Sequence, residues 1–169
     1  GLKSGIYILP NLFTTSGLFA GFYAIVASMR GDFEMAAMAI FVAMIMDSLD
    51  GRVARLTNTQ SDFGAEYDSL ADIVCFGLAP SMLVYNWGLM SLGKPGWLVA
   101  FFYTAATALR LARFNTQPNN NDKRFFIGLP STAAGGFIAG MVWVAYSYGV
   151  PGQKLWIMAA LVTILTSLL

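Results

Sequence analysis

The chain has 169 residues, 57% of them hydrophobic and 11% charged, against about 45–50% and about 25% in an ordinary soluble domain, so lipid is its expected solvent. Ten Lys/Arg against nine Asp/Glu leave a net charge of +1; no overall field attracts a nucleic acid, no nucleic-acid partner is expected, and any electrical function must be local. With no His and a single Cys, Ser-His and Cys-His nucleophile pairs, His-ligated zinc and an internal disulfide are excluded. Any base or metal ligand is then expected to be a carboxylate.

Six apolar runs follow one another, at residues 12–29, 33–46, 68–90, 96–112, 129–148 and 154–169. Only a helix satisfies its own backbone in hydrocarbon, so the expected fold is all-α: a polytopic bundle of six transmembrane helices forming a single domain over residues 1–169. The first run exceeds a signal-peptide core and has no clear small-residue cleavage site after it, and is read as a span. With the N-terminus on one side, Lys3, Arg52, Arg55, Arg110, Arg113, Lys123 and Arg124 share that side, and Arg30, Lys94 and Lys154 fall on the other. By the positive-inside rule the richer side, with both termini, is cytoplasmic. Gly17/Gly21 and Gly136/Gly140 are G-x-x-x-G pairs, which serve packing within the chain and a homodimer interface equally well. Cys75 lies in an apolar run and reads as an inert core residue; Trp87, Trp97, Trp143 and Tyr148 read as interfacial anchors.

Between the second and third runs lies Asp47-Ser48-Leu49-Asp50-Gly51-Arg52-Val53-Ala54-Arg55, then, after eight residues, Gly64-Ala65-Glu66-Tyr67-Asp68-Ser69-Leu70-Ala71-Asp72. Asp47 and Asp50 are three apart and Asp68 and Asp72 four apart, so each pair occupies one face of its helix. At about 1.5 Å per residue, Asp47 lies about 21 Å along a helix begun at Phe33, hence about 9 Å below the cytoplasmic face of a core about 30 Å thick. A third helix returning from Asp62 puts Asp68 and Asp72 at about 9–15 Å, the same depth. Four carboxylates there repel one another and resist desolvation unless cations neutralise them. Oxygen-only ligands suit Mg²⁺ or Mn²⁺, and four are enough for a two-metal site. Gly51, Ala54 and Gly64 offer small surfaces to a planar base or phosphate, although small residues also serve helix packing; Arg55, one turn past Gly51, has the reach for a phosphate.

The pattern D-x-x-D-G-x-x-A-R, eight residues, G-x-x-x-D-x-x-x-D resembles the signature of the CDP-alcohol phosphotransferase family at all eight defining positions: Asp47, Asp50, Gly51, Ala54, Arg55, Gly64, Asp68 and Asp72. The resemblance implies an enzyme in which an alcohol attacks the lipid-side phosphorus of a CDP-lipid and CMP leaves. It implies that Asp47, Asp50 and Asp68 are the main metal ligands, that Asp72 is the general base and touches a second metal, and that Asp50, Gly51, Ala54, Arg55, Gly64 and Asp68 bind the nucleotide. An attacking alcohol must lose its proton, and without histidine Asp72 is a chemically sensible acceptor.

Arg110 and Arg113 lie three apart in Ala108-Leu109-Arg110-Leu111-Ala112-Arg113-Phe114-Asn115, followed after a polar loop by Phe126-Ile127-Gly128-Leu129-Pro130. They read either as ordinary positive flanks or as a pair binding a carboxylate or phosphate. The run A-L-R-L-A-R-F-N, the later F-x-G-L-P and Pro10-Asn11-Leu12-Phe13-Thr14 resemble the phosphatidylserine synthase branch of the family, which departs here only in having Ser131-Thr132-Ala133-Ala134 in place of a Pro-rich stretch. The resemblance implies L-serine as acceptor and CDP-diacylglycerol or CDP-archaeol as donor, with Arg110, Arg113, Lys123, Arg124 and Asn11 as substrate residues. The alternatives are another acceptor, inositol phosphate or glycerol phosphate, and, from a different class, a divalent-cation transporter. Transporters tend to repeat their sites in two halves, and nothing in the second half of this chain matches the four acids.

Overall fold

A computed structural model describes residues 2–58, 61–116 and 131–149. Among them the regular structure is helical throughout, with no strand: α1 Leu2–Met29, α2 Phe33–Leu56, α3 Asp62–Asp72, α4 Ala79–Trp87, α5 Lys94–Thr116 and α6 Ser131–Ser147. The run at 154–169 and the loop bearing Lys123 and Arg124 lie outside the described residues.

α1 carries three consecutive hydroxyls in an apolar helix: Thr15 and Ser16 donate to the carbonyls of Asn11 and Leu12, and the Thr14 hydroxyl stands 3.1 Å from the Pro10 carbonyl. Gly31 ends the helix in the left-handed region at φ 79°. Its N–H and that of Asp32 turn back to the carbonyls of Ser28 and Ala27, a Schellman closure that lets α2 begin at once and lie antiparallel to α1. α2 runs ten residues past the apolar segment predicted for it, through Asp47, Asp50 and both arginines. The apolar run stops at the first carboxylate, while the backbone ladder continues. α3 is started by Ser61, whose hydroxyl accepts from the Gly64 N–H at 3.0 Å.

A π-helical segment, Ile73–Leu78, joins α3 to α4 immediately after Asp72. Its wider turns change which face α4 presents relative to the acids of α3. α5 packs on this segment: the Tyr103 hydroxyl donates to the Phe76 carbonyl at 2.9 Å, and a Cβ at Gly77 would stand 3.2 Å from the Thr107 methyl. Ala24 of α1, Ala36, Ala37 and Ile40 of α2, Leu83 and Val84 of α4, Tyr103 of α5 and Ile138 of α6 form one buried core. Its many alanines bring the backbones close, as in helix bundles within lipid.

The outer faces are apolar. Phe19 is 72% exposed, Leu109 72% and Phe101 63%, a surface suited to lipid tails. Ile8–Met29 and Asp62–Trp87 are long and apolar enough to cross a membrane, and Thr132–Ser147 is apolar but shorter. Trp97 and Tyr148 are exposed, as anchors require, but Trp87 is buried in the core and Trp143 is half-buried against Phe41. Those two pack the bundle, because their faces of α4 and α6 turn toward neighbouring helices.

Both glycine pairs face their own chain. A Cβ at Gly17 would lie 3.3 Å from the Met46 Cβ, and one at Gly136 would lie 2.8 Å from the Met44 Cε. At Gly21 it would stand 2.6 Å from the Cys75 Sγ and 3.0 Å from its Cα. Close helix approach inside the chain explains these glycines, which therefore do not point to a dimer. Cys75 is the buried, inert residue expected, its thiol donating to the Gly17 carbonyl at 3.1 Å. Gly21→Ala is expected to lower the stability of the detergent-solubilised protein by about 1–3 kcal/mol, the usual effect of overpacking. A melting temperature that does not fall would show that α1 and the π segment have room between them.

Candidate active site

Two short sequence distances and two tertiary contacts build the site. Asp47 and Asp50 leave one face of α2, Asp68 and Asp72 one face of α3, and both helices pack against α1, which brings their acids together. Asn58, just after α2, takes the left-handed conformation, φ 53°, that an asparagine tolerates. One carboxylate oxygen from each of Asp47, Asp50 and Asp68 lies within 4.8 Å of the others.

Asp72 is not one of that set, although its carboxyl is within hydrogen-bonding reach of Asp47. It is one turn, about 6 Å, further along α3, and lines the same cleft together with Gly17, Ala43 and Phe76. The four acids thus share a cleft, and three of them make one ligand set. Apolar walls around them keep water scarce and make their mutual repulsion strong. The donor set fits a small hard cation, because all its ligands are oxygens gathered within 4.8 Å of one another.

Two hydroxyls flank the cluster, and sequence reasoning did not single them out. Thr14 of α1, 5% exposed, donates to the Asp50 Oδ2 at 2.7 Å, and Thr132 of α6 reaches the Asp47 Oδ2 at 3.5 Å. A polar residue inside an apolar run four residues after Pro10 was the available sign of Thr14; its pairing with Asp50 on another helix had no sign at all.

The small residues behave differently from one another. A Cβ at Gly51 would meet nothing within 4 Å, so the backbone there is open to an incoming group. One at Gly64 would lie 3.1 Å from the Ser61 Oγ and 3.7 Å from the Asn11 Oδ1, which brings Asn11 to the start of α3. The Thr15 and Tyr67 hydroxyls bond each other and tie α1 to α3 at this end. Ala54 is half-buried and Arg55 exposed.

α5 reaches the same end of the bundle. The Asn115 Nδ2 donates to the Ser69 Oγ at 2.8 Å, fastening the last turn of α5 beside Asp68. Arg110 is then half-buried and Arg113 exposed, both in the final two turns of that helix. Lys123 and Arg124 lie outside the described residues.

The sequence model of the CDP-alcohol phosphatidyltransferase family matches residues 7–167. The chain is 46% identical over 129 residues to the CDP-diacylglycerol-serine O-phosphatidyltransferase of Helicobacter pylori strain J99, across 76% of this chain and 54% of that protein. It is 39% identical over 127 residues to the protein so named in Bacillus subtilis strain 168, across 75% of this chain and 71% of that one. With the one so named in Methanocaldococcus jannaschii the identity is 43% over 109 residues, across 64% and 51%. The chain spans about half the length of most of these relatives.

Proposed function

The chain belongs to the CDP-alcohol phosphatidyltransferase family, and from that premise we propose that it transfers the phosphatidyl group of a CDP-lipid, CDP-diacylglycerol or CDP-archaeol, to the hydroxyl of L-serine, releasing CMP and forming phosphatidylserine. The observation that carries this reading is the triad of Asp47, Asp50 and Asp68 within 4.8 Å of one another, beside the open backbone at Gly51. The names of the relatives support serine as the acceptor.

In this reading Asp47, Asp50 and Asp68 hold Mg²⁺ or Mn²⁺, and Asp72 helps to hold a second ion. When bound, the cations neutralise the diphosphate and lower the charge that builds on the leaving and attacking oxygens. The remaining work belongs to side chains. Gly51, Ala54 and Gly64 leave room for the nucleotide, with Asp50 and Asp68 beside it, and Arg55 pairs with a phosphate. Arg110 and Arg113, helped by Lys123, Arg124 and Asn11, receive the serine carboxylate. Asp72 takes the hydroxyl proton as the serine oxygen bonds to the lipid-side phosphorus, and the bond from that phosphorus to the CMP oxygen breaks.

The same reading makes residues 1–169 one domain of a multi-pass membrane protein with six spans, both termini and the acid cluster on the cytoplasmic side. The bias of seven basic residues to three supports that orientation. A cysteine placed at Asn58 labels only from the cytoplasmic side if it is right; labelling from outside inverts the topology.

The experiment that tests the function is thermal unfolding of the purified chain with CMP and with Mn²⁺ or Mg²⁺. Protection by CMP is expected only when the cation is present, because the nucleotide is held through the acids. A chain protected by the cation and indifferent to CMP and CDP-lipid would instead behave as a cation-binding or transport protein.

A further inference from the structure

Thr14 lies on α1, outside the two helices that carry the acids, and it is buried against the most buried of them. Thr14 is 5% exposed and Asp50 6%, and the Oγ1 to Oδ2 distance is 2.7 Å. A hydroxyl has one proton to donate, and two acceptors lie within its reach: the Pro10 carbonyl at 3.1 Å and the Asp50 carboxylate at 2.7 Å. The shorter bond is also the charge-assisted one, and such bonds are about twice as strong as neutral ones. The proton therefore goes to Asp50 whenever that carboxylate is ionised. The hydroxyl of Thr132 approaches Asp47 only to 3.5 Å, at the outer limit of a hydrogen bond, so the two contacts are not equivalent.

We propose that Thr14 is a positioning residue that holds one oxygen of Asp50 and thereby orients the other toward Asp47 and Asp68 as a preformed cation ligand. This rests on the reading of the triad as a cation site. A carboxylate otherwise turns freely about its last bond, and three that repel one another turn apart. Anchoring one of the three from a separate helix keeps the set converged before any cation arrives. Loss of such a partner behind a ligand typically weakens metal binding by about 10–100-fold.

The test is Mn²⁺ binding to the full chain in detergent, without substrate, read by the electron paramagnetic resonance signal of free Mn²⁺ and by thermal shift. Thr14→Val keeps the shape and removes the donor, and its Kd for Mn²⁺ is expected to rise about tenfold to hundredfold. Should the Val variant not fold, Thr14→Ser and Thr14→Ala make the same comparison, since both lose the methyl and only Ser keeps the donor. The Ser variant is expected to bind at least about tenfold more tightly than the Ala variant. Ser16→Ala, which removes a hydroxyl that donates to the Leu12 carbonyl of its own helix, is expected to leave the Kd unchanged. Equal Mn²⁺ affinity with and without the Thr14 hydroxyl overturns this proposal alone. No Mn²⁺ binding by the unsubstituted chain overturns the cation reading and this proposal with it.

Discussion

Asp68→Asn, and equally Asp47→Asn or Asp50→Asn, is expected to lower phosphatidyl transfer by roughly 10²–10⁴-fold and to weaken Mn²⁺ binding in parallel. Each carboxylate is a partner of the bound cation, and removing one leaves that buried cation under-compensated, at about 3–5 kcal/mol, which is the same range in rate terms. The three are expected to behave alike because their oxygens form one set within 4.8 Å. Asp72 supplies the internal comparison. It lies outside that set, so Asp72→Asn is expected to keep most of the first ion's affinity and CMP-dependent protection while losing about 10²–10⁴-fold in turnover, the usual contribution of a general base. Initial rates at saturating metal, measured beside Mn²⁺ titrations, separate the two patterns. Near-normal turnover in the Asp68 variant would remove the triad from the chemistry; near-normal turnover in the Asp72 variant would remove the base.

Loss of either Arg110 or Arg113 is expected to raise the apparent KM for serine by roughly thirtyfold to several thousandfold, the equivalent of about 2–5 kcal/mol for one partner of a charge pair. Serine carries a carboxylate that choline and ethanolamine lack, so its site needs a fixed cation near the acids. The bond between Asn115 and Ser69 fastens the end of α5 to the helix that bears Asp68 and Asp72, which brings both arginines to the acid end of the bundle. Charge alone would also serve inositol phosphate or glycerol phosphate, so the decisive assay offers each acceptor in turn to the purified protein with CDP-lipid and metal. Transfer to serine that fades in Arg110→Gln and Arg113→Gln supports the assignment. Efficient transfer to a phosphorylated alcohol with serine inert would replace the acceptor and leave the family intact.

Much of this protein is written in local patterns. Composition alone pointed to lipid, because a chain 57% hydrophobic and 11% charged has too little polar surface to face water. Acids spaced three and four apart share a helix face by geometry, whatever surrounds them, and Asp47, Asp50 and Asp68 indeed converge. Only the tertiary structure decided how those faces meet. An apolar run ends at the first charged side chain and not at the helix end, so the predicted segment stopped at Met46 while α2 continued to Leu56. The π segment after Asp72 arises where α5 packs on that stretch, and the position of Asp72 relative to the triad depends on how α2 and α3 each pack on α1. Trp87 turned from a predicted anchor into core because its face of α4 meets other helices. Thr14 is the clearest case: its own segment gives it only an acceptor at Pro10, and its partner Asp50 lies 36 residues away on another helix. Such a pairing exists only once the Gly31 turn has brought α1 and α2 together, because a contact between helices depends on their packing and not on spacing within either one.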